Sequence, residues 1–209
     1  MSRFAYHLSC FLFGGLYGWI GDGGHVATDV LSYSAQERFW YPGLAWWVVP
    51  QFAIGGLILS ILVARVYQWT GEPGLPANFP SYAVGMAGAI GSLGTYLISS
   101  LLSSMHIDQI VISAILATLT VLLAMFLRIP FRYPMYFTLI GLITFIGGIG
   151  YESSLCHIGA FQYNHPDKGL YVNHWIGWLW VGAIWSCILP MWRYEAQARS
   201  KATIKKKEK

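Results

Sequence analysis

The run DQIVISAILATLTVLLAMFLR, Asp108–Arg128, decides the fold. No ionisable side chain lies between its first and last residues. A helix crosses the roughly 30 Å hydrocarbon core in about 20 residues, and this run has that length. Working outward, five further apolar runs satisfy the same criterion: Phe4–Ile20, Ala45–Tyr67, Tyr82–Ser104, Pro134–Cys156 and Asn173–Trp192. The outer end of the fifth lies between Tyr151 and Ala160. The first has a short basic start but no small-residue cleavage site after it, so it reads as a span and not as a signal peptide. The expected fold is all-α, a polytopic bundle of six transmembrane helices over residues 1–193, followed by a basic tail at 194–209.

The connections support that count. Met105–Asp108 is a short turn, which makes the third and fourth spans an antiparallel hairpin. TGEPGLPANFP, Thr70–Pro80, carries three prolines and cannot be a regular helix. Pro134 suits the first turn of the fifth span, where its missing N–H costs little. Long apolar runs without alternation exclude a β-barrel.

Of the 13 Lys and Arg residues, all but Arg38 and Lys168 fall on one side of the implied membrane. Positive residues stay cytosolic, so both termini are predicted cytosolic. The aromatic belts agree. Trp19, Trp40, Tyr41, Trp46, Trp47 and Trp175 mark the outer interface; Tyr67, Trp69, Tyr82, Tyr133, Trp192 and Tyr194 mark the inner one. Trp178, Trp180 and Trp185 lie deeper and read as packing or lipid-facing residues.

Composition excludes most soluble classes. The chain has 209 residues, 56% hydrophobic and 11% charged, against about 25% charged in a soluble domain. The net charge of +4 comes from the tail and does not require nucleic acid. Cys10, Cys156 and Cys187 have no spacing that implies a disulfide framework or zinc site. No nucleophile–base motif, phosphate-binding loop or CxxC occurs, and no cofactor is expected.

Two features point to the bundle interior. Gly85, Gly88, Gly91 and Gly94 in the third span, with Gly141, Gly147, Gly148 and Gly150 in the fifth, allow close helix approach or leave space for a lipid. Pro50 within the second span is expected to kink it beside those glycine faces, opening a wedge-shaped cavity. Gln51 reaches such a cavity or another helix. Glu152 is the foremost polar candidate. A carboxyl at membrane depth is costly and carries a partner or a function. If the fifth helix ends at Tyr151, however, Glu152 is simply wet. Asp108 reads as an N-cap, and His7 receives no role.

His25, His106, His157, His165 and His174 lie on the outer side with Asp22, Asp29, Asp108, Glu152 and Asp167. That set supports an alternative reading, a metal-dependent membrane enzyme, although no fixed ligand spacing is present. A small neutral-solute transporter is a further alternative. The lack of intramembrane charge pairs argues against an ion pathway.

AWWVVPQFAIGGLI, Ala45–Ile58, then GEP at Gly71–Pro73, and GAFQYNHPDKGLYVNHW, Gly159–Trp175, together resemble the Insig family. The order, spacing and span count of these segments match that family over about Trp46–Arg193. The resemblance implies a non-enzymatic membrane protein. Animal members reside in the endoplasmic reticulum, bind oxysterols, retain the sterol sensor Scap and promote degradation of HMG-CoA reductase in cholesterol homeostasis. Bacterial relatives hold a lipid such as diacylglycerol in a central cavity. The implied partner is therefore a membrane lipid, sterol or diacylglycerol, and by extension a sterol-sensing membrane protein. Pro50, Gln51, Gln162 and Tyr163 fall at matching positions. With Gly88, Gly91, Gly147 and Glu152 they form the expected lipid-binding set. The chain departs from the family at Leu127, where animal members carry an acid tied to partner binding. The terminal KKEK, Lys206–Lys209, fits a dilysine retrieval signal in a eukaryote; in a bacterium the protein belongs in the plasma membrane.

Overall fold

The computed structural model describes residues 3–69, 82–126, 134–167 and 169–185. The inner loops Thr70–Ser81 and Leu127–Tyr133, the last part of the sixth span and the basic tail lie outside them. So do the GEP segment, Leu127, Arg128, Cys187 and the dilysine pattern.

Helices α1 (Arg3–Ala27), α2 (Val48–Trp69), α3 (Tyr82–Ser104), α4 (Gln109–Phe126), α5 (Pro134–His157) and α6 (Ile176–Ala183) correspond to the six runs. Four short strands accompany them: β1 (Leu31–Ser32), β2 (Arg38–Trp40), β3 (Leu44–Ala45) and β4 (Gln162–Tyr163). Among the described residues, α3, α4 and α5 each contain a stretch long and apolar enough to cross a membrane. Large apolar side chains stand uncovered along the helices, including Ile58, Ile90, Ile110, Leu122 and Ile143. Such faces would drive a water-soluble protein to aggregate, and lipid is the solvent that suits them. The chain is an integral membrane protein with a helical bundle.

The largest departure from expectation is α1. It runs to Ala27, beyond the predicted Ile20, through the glycine- and aspartate-rich stretch expected to be a loop. The glycines there are contact surfaces. A Cβ on Gly21 would run into the Tyr96 ring, and one on Gly24 into Leu97. Close packing against α3 therefore outweighs the low helix propensity of glycine.

The first outer loop is also more ordered than composition suggested. β2 and β3 pair antiparallel through a turn at Gly43, whose φ of 139° suits a residue without a Cβ. β1 pairs with β4, Leu31 opposite Tyr163 and Ser32 opposite Gln162, which ties the first outer loop to the last. The outer end of the bundle thus has a small folded cap.

Other boundaries shift less. The second helix starts at Val48 instead of Ala45, because Leu44 and Ala45 belong to β3. Pro50 consequently sits in the first turn of α2, where N–H groups have no intrahelical acceptor, and the following Gln51 N–H still reaches the Trp47 carbonyl at 2.9 Å. No ladder bond is there to lose, so the reason for expecting a kink at Pro50 falls away. Asp108 caps α4 as expected, accepting from the Ile110 N–H at 2.8 Å. The sixth helix begins at Ile176, not Asn173. Trp175 is fully buried, its indole N–H donating to Gln109 at 2.5 Å, so it is a core residue and not part of the outer belt.

The helices pack as two close pairs. In α1 and α2 the main chains touch: a Cβ on Gly14 would overlap the Phe52 carbonyl, and one on Gly56 the Cys10 carbonyl. In α5 and α6, Gly148 receives Trp180 and Gly141 receives Trp185. α2 and α5 scarcely meet. This pairing leaves the α2 and α5 faces apart.

Candidate functional site

Between the pairs lies a cavity of about 800 Å3. Its α2 wall carries Gln51, Ile54, Gly55, Ile58 and Leu62, and its α5 wall Ile143, Thr144, Gly147, Tyr151 and Glu152. Phe13, Gly14 and Tyr17 of α1 and Leu179, Trp180 and Ala183 of α6 close the back. A Cβ on either Gly55 or Gly147 would have nothing within 4 Å, so these glycines widen the space. Ile54, Ile58 and Ile143 on the two lips are more than half exposed, at 52, 52 and 62%. The gap between α2 and α5 therefore opens sideways, towards the lipid.

Polarity is concentrated at one end. Gln51, Tyr96, Tyr151 and Glu152 line the half nearer the predicted outer face, whereas Ile140, Leu59 and Leu62 line the inner half. Phe52 stacks on Trp180 with ring centroids 6.2 Å apart, and Tyr151 meets the same indole edge-on at 5.9 Å.

Glu152 is 6% exposed and lies on α5, which continues to His157, so the buried reading of this residue holds. Its carboxylate accepts from the Tyr163 hydroxyl at 2.7 Å and the Trp180 indole N–H at 2.9 Å. Asp22 is buried to the same degree. It accepts from the Tyr33 hydroxyl at 2.7 Å and from the Tyr96 hydroxyl. Tyr33 and Tyr163 each feel both carboxylates, so the two acids share one buried site. Among the described residues no Lys or Arg compensates them; Arg38 donates instead to the Tyr33 carbonyl at 3.2 Å.

Burial, and then the Asp22 carboxylate, push the Tyr33 hydroxyl well above the usual phenol range. Burial and then Glu152 do the same to Tyr163. Both hydroxyls thus remain donors at physiological pH. His25 is fully buried beside this cluster, its ring edge-on to Tyr96 at 4.8 Å and to Trp175 at 5.5 Å. Its Nε2 lies 2.9 Å from the Ser99 hydroxyl, and its Nδ1 has no partner among the described residues.

The expected lipid-binding set divides. Gln51, Gly147 and Glu152 line the cavity. Tyr163 stands behind the wall as a ligand of Glu152. Pro50 is exposed at the start of α2 and is not on the wall. Gly88 is buried away from the cavity, and Gly91 packs against Leu123 in the α3–α4 seam. Gln162 is exposed in β4. Reading the glycines as one class missed that Gly88 and Gly91 serve packing while Gly147 serves space.

Tyr33 and Tyr96 were missed, Asp22 was read only as one of the outer acids, and Trp180 only as a packing or lipid-facing residue. Asp22 had a usable signal, an acid directly following an apolar run, but the early helix end assigned it to a wet loop. The outer histidines do not converge. His157 lies 2.9 Å from the Tyr171 hydroxyl, His174 lies 2.6 Å from Asp167, and His106 meets His165 edge-on with ring centroids 5.6 Å apart. Among the described residues no group of three or more His, Cys, Asp or Glu side chains is placed to hold a metal.

Fold and cavity together define a polytopic helical membrane protein with a lipid-accessible interior. Among solved structures, the chain is similar to the mycobacterial Insig homologue MvINS from Mycobacterium vanbaalenii, with a TM-score of 0.75 and 18% identity over 95% of this chain and 97% of that one. A cross-linked MvINS trimer gives a TM-score of 0.72 at 18% identity, over 93% and 96% of the two chains. No protein-family model and no curated protein matches. The chain has an Insig-like fold, of the kind found in the bacterial homologue.

Proposed function

We propose that this protein is a non-enzymatic, Insig-like lipid-binding protein that holds one neutral lipid, a diacylglycerol or a sterol, in the cavity between α2 and α5. The observation that carries this reading is the cavity itself. It is apolar along most of its length, polar at one end and open sideways to the bilayer. Its volume of about 800 Å3 falls in the roughly 300–1,000 Å3 range of small-molecule sites. A lipid enters through the gap without passing through water, lays its acyl or ring portion against Ile54, Ile58 and Ile143, and places its polar group near Gln51 and Glu152. The protein thereby couples the local supply of that lipid to its own shape or contacts. The solved neighbours come from a mycobacterium, which favours a plasma-membrane protein over one retrieved to the endoplasmic reticulum.

The test is native mass spectrometry of gently purified full-length protein, before and after competition with added lipid. One lipid per chain is expected. Gly147→Phe places an aromatic ring in space that is otherwise empty. It is expected to abolish the adduct while leaving the circular dichroism spectrum unchanged. Wild-type protein that repeatedly carries no stoichiometric lipid, or a Gly147→Phe variant that retains it, refutes the reading.

A further inference from the structure

The five outer histidines do not gather at one point, but two of them meet. His106 and His165 face each other with ring centroids 5.6 Å apart. Among the described residues neither makes a hydrogen bond. The other four of the six histidines all have one: His7 with Ser60, His25 with Ser99, His157 with Tyr171 and His174 with Asp167. The uncommitted pair lines a polar pocket of about 120 Å3, distinct from the lipid cavity, and Thr28, Asp29, Ser103 and Ser104 share its wall.

Helices α1, α3 and α5 end alike at the outer side. In each, an N–H beyond the last turn reaches back: Val30 to the His25 carbonyl, Ile107 to Leu102 and Ala160 to Leu155. The residue before that N–H is left-handed, a position that favours glycine, and α5 has Gly159 there. α1 and α3 instead carry Asp29 and His106, at φ of 58° and 55°. Both of these side chains line the pocket. Two helix C-termini therefore meet there, each the negative end of its helix dipole. Asn164 orients Asp29. Its amide donates to the Asp29 carbonyl at 2.7 Å and to Oδ1 at 2.8 Å, and Ser32 donates to the amide oxygen at 3.3 Å. The Asp29 Oδ2 has no partner among the described residues.

Imidazoles, a carboxylate, hydroxyls and helix C-termini all offer electron pairs, and no Lys or Arg lines the pocket. Such a wall suits a cation, and imidazole suits Zn2+, Cu2+ or Ni2+ over Mg2+ or Ca2+. A ligating nitrogen lies about 2.0–2.1 Å from such an ion, so two rings at this spacing are near enough to share one. Among the described residues no three His, Cys, Asp or Glu side chains converge. The two imidazoles are thus the direct protein ligands, and water fills the remaining positions. The pocket has room for it, at about 30 Å3 per water.

We infer that His106 and His165 bind one divalent transition-metal ion of the zinc type on the outer face, with Asp29 balancing its charge through water. The ion fastens the α3–α4 turn to the loop that follows β4. This site is structural, and it stands independently of the lipid-binding reading.

The experiment titrates untagged, chelator-treated full-length protein in a non-ionic detergent with ZnCl2 by isothermal titration calorimetry. One ion per chain is expected, with micromolar affinity and no competition from Mg2+. Loss of a group that merely supports a metal ligand costs about 10–100-fold, so His165→Gln and His106→Asn should each weaken binding at least about tenfold. Asparagine at 106 tolerates the left-handed backbone. Asp29→Asn should weaken binding less, and His157→Gln should leave it unchanged. Electron paramagnetic resonance of the Cu2+-loaded wild type should show two imidazole nitrogens, a readout that needs no variant to fold. No saturable zinc binding, binding that survives both His106→Asn and His165→Gln, a single bound nitrogen, or one ion shared between two chains each overturns the inference.

Discussion

Gly55 and Gly56 are adjacent in α2, and alanine at each should change stability in opposite directions. Alanine at Gly56 puts its methyl group against the Cys10 carbonyl and the Gly14 Cα. Both are main-chain atoms of α1, so relief requires the two helices to part. Overpacking of this kind costs about 1–3 kcal/mol, and exchanging glycine for alanine in a helix returns about 1 kcal/mol, leaving a net loss of up to about 2 kcal/mol. Alanine at Gly55 meets nothing within 4 Å and keeps the propensity gain, up to about 1 kcal/mol. Its methyl group enters only the edge of the cavity, so lipid binding should weaken slightly at most. Reversible unfolding in mixed micelles titrated with sodium dodecyl sulfate, followed by circular dichroism, measures both variants. The same sign for both, or a stabilised Gly56→Ala, would show that α1 and α2 are not in main-chain contact. The explanation of how the cavity is held open would then fail.

Two further outcomes test the polar cluster. Burial first, and then the neighbouring carboxylates, hold the Tyr33 and Tyr163 hydroxyls well above the ordinary phenol range. A group whose folded value is raised contributes stability that is fully present below its unfolded value and is lost as pH climbs towards the folded one. Stability should hold through neutral pH and decline above about pH 10. Absorbance at the tyrosinate band should show both rings ionising together with unfolding; ionisation of either within the folded protein contradicts their burial. His25→Phe keeps the ring packing against Tyr96 and Trp175 and removes the unpartnered Nδ1. Ser99 keeps its bond to the Tyr96 carbonyl at 2.6 Å. The change should therefore lie within about 1 kcal/mol of neutral, and a much larger loss in thermal unfolding would reveal a partner that this geometry lacks.

Much of the bundle was legible because lipid imposes a strict rule on composition. A span must be apolar for about 20 residues, and α3, α4 and α5 could be marked nearly to the residue. The inner half of α1 was equally plain, but its outer end was not. Gly21, Asp22, Gly23, Gly24 and His25 read locally as a wet turn. They form a helix because Tyr33, Tyr96 and Ser99, distant in sequence, receive the polar groups. The cap strands escaped notice for a similar reason: β1 and β4 have two residues each and are defined only by each other.

The candidate site followed the same division. Glu152 stood out as an ionisable group near the end of an apolar run, and Gln51 as a polar side chain within one. Nothing local separates Gly147, which faces the cavity, from Gly148 beside it, which receives Trp180. Nor could Pro50 be relieved of its supposed kink before β3 placed the start of α2 at Val48.

What the sequence determined by itself is membrane residence, the number of spans and their predicted direction, because partition into lipid and the bias of Lys and Arg act on each segment separately. What only the tertiary structure decided is the cavity, its single polar end and the pairing of Asp22 with Glu152 across two distant helices. These depend on which helix faces touch and which stay apart, and that is settled by contacts between segments far apart in the chain.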